Sequence, residues 1–186
     1  MRLPPIAEAD RTPEQQKVAT AIAAGPRGDL RGPFNALLRS PVVAERVAVL
    51  GEYLRFNTSI PFELNELAIL VTGRAWDAQF EFYAHRLLAL KAGLPDSVIQ
   101  AIAEGRKPEP MTADQAMVWQ FATELHRDRN VSDASYAQVK ARFGEQGVID
   151  LVAVMGYYSL VGMVLNVAGV PVPPGEPLPL KPLTKA

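Results

Sequence analysis

The chain has 186 residues, no cysteine, and 19 Lys and Arg set against 20 Asp and Glu. This length suits one domain around one buried core. The balanced charge gives no electrostatic reason to expect nucleic acid or an anionic membrane as partner, and the missing thiols exclude disulfides, thiolate metal sites and thiol-based redox chemistry. The opening MRLPPIAEAD has no apolar run behind its Arg, so it does not read as a secretory signal, and a cytoplasmic location is expected.

Helix punctuation recurs along the chain and long alternating stretches are missing, which predicts an all-α bundle of about seven to eight helices joined by short turns. Thr12, Pro13 and Gln15 form a capping box with Pro at the first helical position, and Gly25 is placed to end that helix. Glycines and two Arg fill the next segment, GPRGDLRG from Gly25 to Gly32, but without phosphate-loop spacing it reads as an interhelical loop. Ser40 before Pro41 opens a helix whose Val43, Val47, Leu50 and Leu54 fall on one face.

From Pro61, Leu64, Leu67, Ala68, Ile69 and Val71 recur at helical spacing as far as Gly73 to Trp76. Asp77 is the expected cap of the following helix, which carries Phe80, Tyr83, Ala84, Leu87, Leu88 and Leu90 and closes at Gly93. Helices are then expected over 96–104, 112–129 and 132–143, with Gly105 and Gly144 behind the first and last. An apolar helix over about 148–168 completes the domain, taken as 1–170. Leu151 to Val170 carries no charge and meets the length of a membrane span, yet it contains Gly156, Ser159, Gly162 and Asn166 and lacks a basic flank. A helix apolar all round at the centre of a bundle or in an oligomer interface is the preferred reading, with no membrane partner. Prolines at 171, 173, 174, 177, 179 and 182 predict an extended tail over 171–186 that wraps a neighbour or hangs loose.

Two histidines are present. Glu81 stands four residues before His85 on one helical face, so carboxylate and imidazole meet within a turn. Glu66 on the preceding helix reaches the same place if the two helices form an antiparallel hairpin. Two carboxylates and an imidazole in an apolar cleft supply a proton donor and an acceptor. His126 lies among charges near a helix C-terminus and is expected to face water without a role. Trp76, Trp119, Tyr83, Tyr157 and Tyr158 read as packing, although a tyrosine of the last helix, with Tyr157 as the candidate, could reach the pocket.

The segment from Glu63 to Ile99, ELNELAILVTGRAWDAQFEFYAHRLLALKAGLPDSVI, resembles the core motif of the carboxymuconolactone decarboxylase and AhpD-like family. AhpD-like members carry Glu, eleven residues, Cys, two residues, Cys, three residues, His. Here Glu66, Ala78, Glu81 and His85 occupy those places, and Phe80-Glu81-Phe82 matches the aromatic-Glu-aromatic run of the decarboxylase branch. Ala92-Gly93-Leu94 stands where that family often has Gly-Leu, and GPFNALLRSP from Gly32 to Pro41 is similar to its Pro-Phe-Asn turn. The resemblance covers about forty residues closely.

The resemblance implies an AhpD-like, oligomeric helical bundle, as a trimer or hexamer, and a cofactor-free lyase of the decarboxylase type acting on a small carboxylated lactone or related metabolite of aromatic degradation. His85 would donate or shuttle the proton, Glu66 would orient it, and Glu81 would be a second acid or base. Arg74 or Arg86 would hold the substrate carboxylate, with Phe82 and Tyr157 against the substrate. The three donor side chains are also of the kind that binds zinc, but HExxH spacing is absent and the resembled family works without a cofactor, so no metal is expected. The alternative implied by Ala78 in a cysteine's place is a peroxide-response relative that has lost its thiols and binds a ligand without catalysis.

Overall fold

The computed structural model describes residues 1–26 and 28–182. Arg27 of the glycine-rich loop and the last four residues of the expected tail, 183–186, lie outside the described residues. Among the described residues, α1 spans Pro13–Ala24, α2 Phe34–Leu37, α3 Pro41–Phe56, α4 Phe62–Ala75, α5 Gln79–Lys91, α6 Asp96–Ala103, α7 Ala113–Asp128 and α8 Asp133–Ala168, with a 3-10 turn at Glu8–Asp10. The all-α expectation holds.

Local chemistry sets most of the boundaries. Thr12 accepts a hydrogen bond from the Gln15 N–H at 3.2 Å, while the Gln15 side chain accepts from the Thr12 N–H at 3.0 Å. Thr112 and Gln115 repeat the box at the start of α7, so both helix ends have two N–H groups satisfied without tertiary help. Gly93, at φ +95°, lets the Leu94 N–H reach back to Ala89 O, the reversal that ends α5 and turns the chain toward α6. Gly144, at φ +71° inside α8, breaks that element into two helical pieces, as the glycine behind Phe143 predicts.

Helix α4 is the axis of the bundle. Its neighbours are α5, α6, α7 and α8, and every residue from Leu64 to Arg74 is buried. A helix surrounded on all sides must satisfy its polar side chains internally. Asn65 Nδ2 donates to Leu54 O, Thr72 Oγ1 donates to Ala68 O, and Arg74 Nη1 donates to Ala103 O and Lys181 O.

The structure corrects three sequence expectations. The buried face of α3 is Ala44, Val47, Gly51 and Leu54, while Val43 and Leu50 stay exposed. The small residues decide this: a Cβ at Gly51 would lie 2.1 Å from the Tyr157 hydroxyl, so α8 approaches α3 over the glycine and not over the larger side chains. Asp77 does not cap α5. It sits at φ +47° with its carboxylate 2.9 Å from Arg74 Nη2, and Ala78 is the capping residue, without a side-chain bond. The proline-rich tail does not hang loose as far as it is described. Gln79 clips Leu180 by donating to its carbonyl at 2.8 Å and accepting from its N–H at 3.1 Å, and Leu180 is buried.

Within α8 lies a window long and apolar enough, by length and composition, to cross a membrane, and 56% of that window is buried in the bundle. Its outer side leaves Ile149, Val152, Leu160, Met163 and Val167 exposed at helical spacing.

Candidate active site

The turn between α4 and α5 occupies three residues, Trp76 to Ala78. Glu66 lies ten residues before Trp76 and His85 seven after Ala78, depths of about 15 Å and about 10 Å along their helices at 1.5 Å per residue. A tight hairpin therefore brings the two residues within about one helical turn of each other along the axis, a gap their side chains can bridge, and the Glu81 side chain adds a second contact one turn along the same face of α5.

The contacts are short and sheltered. His85 Nδ1 is 2.7 Å from Glu66 Oε2, and Nε2 is 3.0 Å from Glu81 Oε1. Glu66 is 0% exposed, Glu81 3% and His85 7%. Burial alone pulls the imidazole pKa down and is the largest single influence. The charges of Glu66 and Glu81 and the hydrogen bonds to both together outweigh it and raise the pKa from 6.5 to about 9. At neutral pH the ring is thus an imidazolium donating one N–H to each carboxylate, and its proton belongs to the coupled cluster.

Tyr158 of α8 completes the enclosure. Its ring meets the imidazole edge to face, with centroids 4.8 Å apart. Burial, followed by the charges of Glu81 and Glu66, holds its phenol well above the usual range, so it stays protonated as a hydrogen-bond donor. Glu66 Oε1 is buried without a hydrogen-bond partner, an acceptor left open inside the cluster.

Of the predicted residues, Glu66, Glu81 and His85 converge. Arg74 lies two turns beyond Glu66 and is occupied by Asp77 and by the tail and α6 carbonyls. Arg86 pairs with Asp96 at 3.2 Å on the α6 side. Phe82 is buried against Gly73 of α4. Tyr157 presses its hydroxyl on Gly51, and it is the neighbouring Tyr158 that meets His85. His126 does not face water: it is half-buried, with Nε2 2.9 Å from Thr72 Oγ1, and burial lowers its pKa.

Beside the cluster lies a cleft of about 420 Å³. Arg55, Phe56 and Thr58 line it from the end of α3 and its loop, Ile60, Phe62 and Asn65 from the start of α4, and Leu88 from α5. Asn65 directly precedes Glu66, and Leu88 stands one turn from His85. Glu66, Glu81, His85 and Tyr158 themselves do not line this cleft, nor do they line a separate groove of about 200 Å³ that runs between α1 and α3, past Lys17, Ile22, Glu45 and Glu52.

Sequence reasoning chose Tyr157 where the structure brings Tyr158 to His85, and it did not single out Arg55 or Asn65, which line the cleft. The only available signal for Arg55 was a lone cation in the last turn of α3, where the helix dipole already accounts for it.

No protein-family model matches this chain, and no curated protein is significantly similar to it. The functional reading therefore rests on the geometry of the cluster and on the motif resemblance.

Proposed function

We propose that this chain is a cofactor-free carboxy-lyase of the carboxymuconolactone decarboxylase type, acting on a small carboxylated lactone or a related ring-cleavage acid of aromatic degradation. The observation that carries the reading is the imidazolium held at both nitrogens by buried carboxylates. Decarboxylation breaks the bond between the substrate carbon and its carboxylate, releases carbon dioxide and leaves the electron pair as a dienolate, which needs one proton at carbon.

In this reading Glu66 keeps the Nδ1 proton and fixes the ring. The Nε2 proton, shared with Glu81, goes to carbon, and the neutral ring regains a proton from water. Tyr158, kept as a phenol, offers a donor to the developing oxyanion. A protonated His85 at neutral pH suits a site that starts its cycle as an acid. With this proposal go a small carboxylate as ligand instead of nucleic acid or a membrane, a cytoplasmic setting, and a homo-oligomer that covers the apolar stripe of α8.

The test is carbon dioxide release from a panel of carboxylated lactones, run in D₂O to find deuterium at the former carboxyl carbon. The parent chain is expected to turn over at least one member, and His85→Gln to lose about 10² to 10⁴ of that rate. No release by the parent, or equal turnover by His85→Gln, overturns the reading.

A further inference from the structure

The cleft beside the cluster holds a cation whose charge the fold leaves unused. Among the described residues Arg74 and Arg86 are matched with Asp77 and Asp96, whereas no carboxylate pairs with Arg55. Its guanidinium lies over the neighbouring Phe56 ring, 5.2 Å from the centroid, which stacks the planar group and limits its freedom. Arg55 is also close enough to Tyr158 for its charge to be felt at the phenol, where those of Glu66 and Glu81 are felt too. An imidazolium between two carboxylates leaves that cluster with a net charge of about −1 by formal count, which repels an incoming anion unless a cation stands nearby.

Asn65 supplies the second observation. Its amide nitrogen is committed to Leu54 O at 3.0 Å, while its Oδ1 is buried and has no hydrogen-bond partner. An open buried acceptor at the wall of a cleft asks for a donor from whatever fills the cleft. Ile60, Phe62 and Leu88 add apolar wall, and about 420 Å³ is within the range of small-molecule sites and ample for a single ring.

We infer that this cleft binds a small cyclic carboxylic acid bearing a hydroxyl or other N–H or O–H donor, with Arg55 as the carboxylate anchor and Asn65 Oδ1 as the acceptor for that donor. The inference rests on the proposed lyase reading for the identity of the acid, but not for its binding. It replaces Arg74 and Arg86 with Arg55 as the group that holds the carboxylate, because an arginine already matched to an aspartate would have to break that pair first.

Binding of benzoate, 4-hydroxybenzoate and benzamide to the full chain, followed by amide chemical shifts and calorimetry, tests it without turnover. The expected result is saturable binding of both carboxylates, 4-hydroxybenzoate tighter than benzoate, and benzamide weaker by about tenfold or more. Arg55→Gln should bring benzoate down to the benzamide level, and Arg55→Lys should restore part of the difference. Unchanged carboxylate binding in Arg55→Gln overturns the inference, as does no saturable binding by the parent or a response confined to the α1–α3 groove. Lactone turnover that survives Arg55→Gln sinks this inference and spares the lyase; Arg55-dependent binding without turnover by the parent does the reverse.

Discussion

Both histidines of this chain hydrogen-bond to α4, yet their surroundings drive them to opposite charge states. His85 comes from α5 and finds Glu66 at 2.7 Å, with Glu81 on its other nitrogen, and its pKa rises to about 9. His126 comes from α7 and finds Thr72 Oγ1 at 2.9 Å. That hydroxyl already donates to Ala68 O, so the imidazole Nε2–H donates to it and the ring stays neutral, its pKa lowered by burial. Each partner on α4 is fully buried. Burial therefore does not by itself set the charge of an imidazole; the chemistry of the partner decides whether a buried ring carries charge.

The comparison is broken most forcefully by removing His85. His85→Ala leaves two buried carboxylates facing each other across a vacated space, and loss of one partner from a buried charged network costs about 3–5 kcal/mol. Urea unfolding of His85→Ala and of His126→Ala, each against the parent, measures the contrast. Equal losses in the two variants would show that the cluster is energetically no more than an ordinary buried hydrogen bond.

This contrast was legible in the sequence on one side only. The spacing of Glu81 and His85, and the hairpin that returns Glu66 to them, follow from helical geometry and turn residues, and the three side chains meet as expected. For His126 the neighbouring Glu124, Arg127, Asp128 and Arg129 suggested a solvated face. Local charge could not reveal that the ring turns inward to Thr72. Asp77 failed as a cap because a left-handed backbone and Arg74 together take its carboxylate elsewhere. In the last helix nearly every residue is apolar, so no pattern separates Tyr157 from Tyr158; only packing over Gly51 does. Leu180 gave no local sign that Gln79 would hold its backbone, 101 residues away. What repeats every turn could be read, and what depends on distant partners could not.

The pH dependence of stability sharpens the same contrast. The folded pKa of His85 lies above its unfolded value, so its contribution is fully present below about pH 6.5 and is lost as pH rises through about 9. A shift of that size corresponds to about 3 kcal/mol. For His126 the sign is reversed: with its folded pKa below 6.5, its contribution is present above about pH 6.5 and is lost as pH falls through the folded pKa. Urea midpoints between pH 6 and 10 should fall in the parent along the alkaline arm. In Glu81→Gln, with one of the two raising charges gone, the fall should still begin near pH 6.5 but end at lower pH and be smaller. An alkaline arm identical in parent and variant would refute the coupling of His85 to Glu81.

The smallest expected effect lies at the neutral histidine. Thr72→Val keeps the shape of the side chain but removes the acceptor for the His126 Nε2–H. The ring is half-buried, so water can replace part of the lost bond. The predicted loss is about 1 kcal/mol, close to the net value of a neutral hydrogen bond. Because valine removes an acceptor that favours the charged ring and leaves the burial in place, the His126 imidazole resonances should titrate further below the ordinary 6.5 than in the parent, while those of His85 stay unmoved. A shift at His85 of similar size would mean that the two ends of α4 communicate, and the separation between a charged and a neutral imidazole would then belong to the helix as a whole rather than to each residue's own partner.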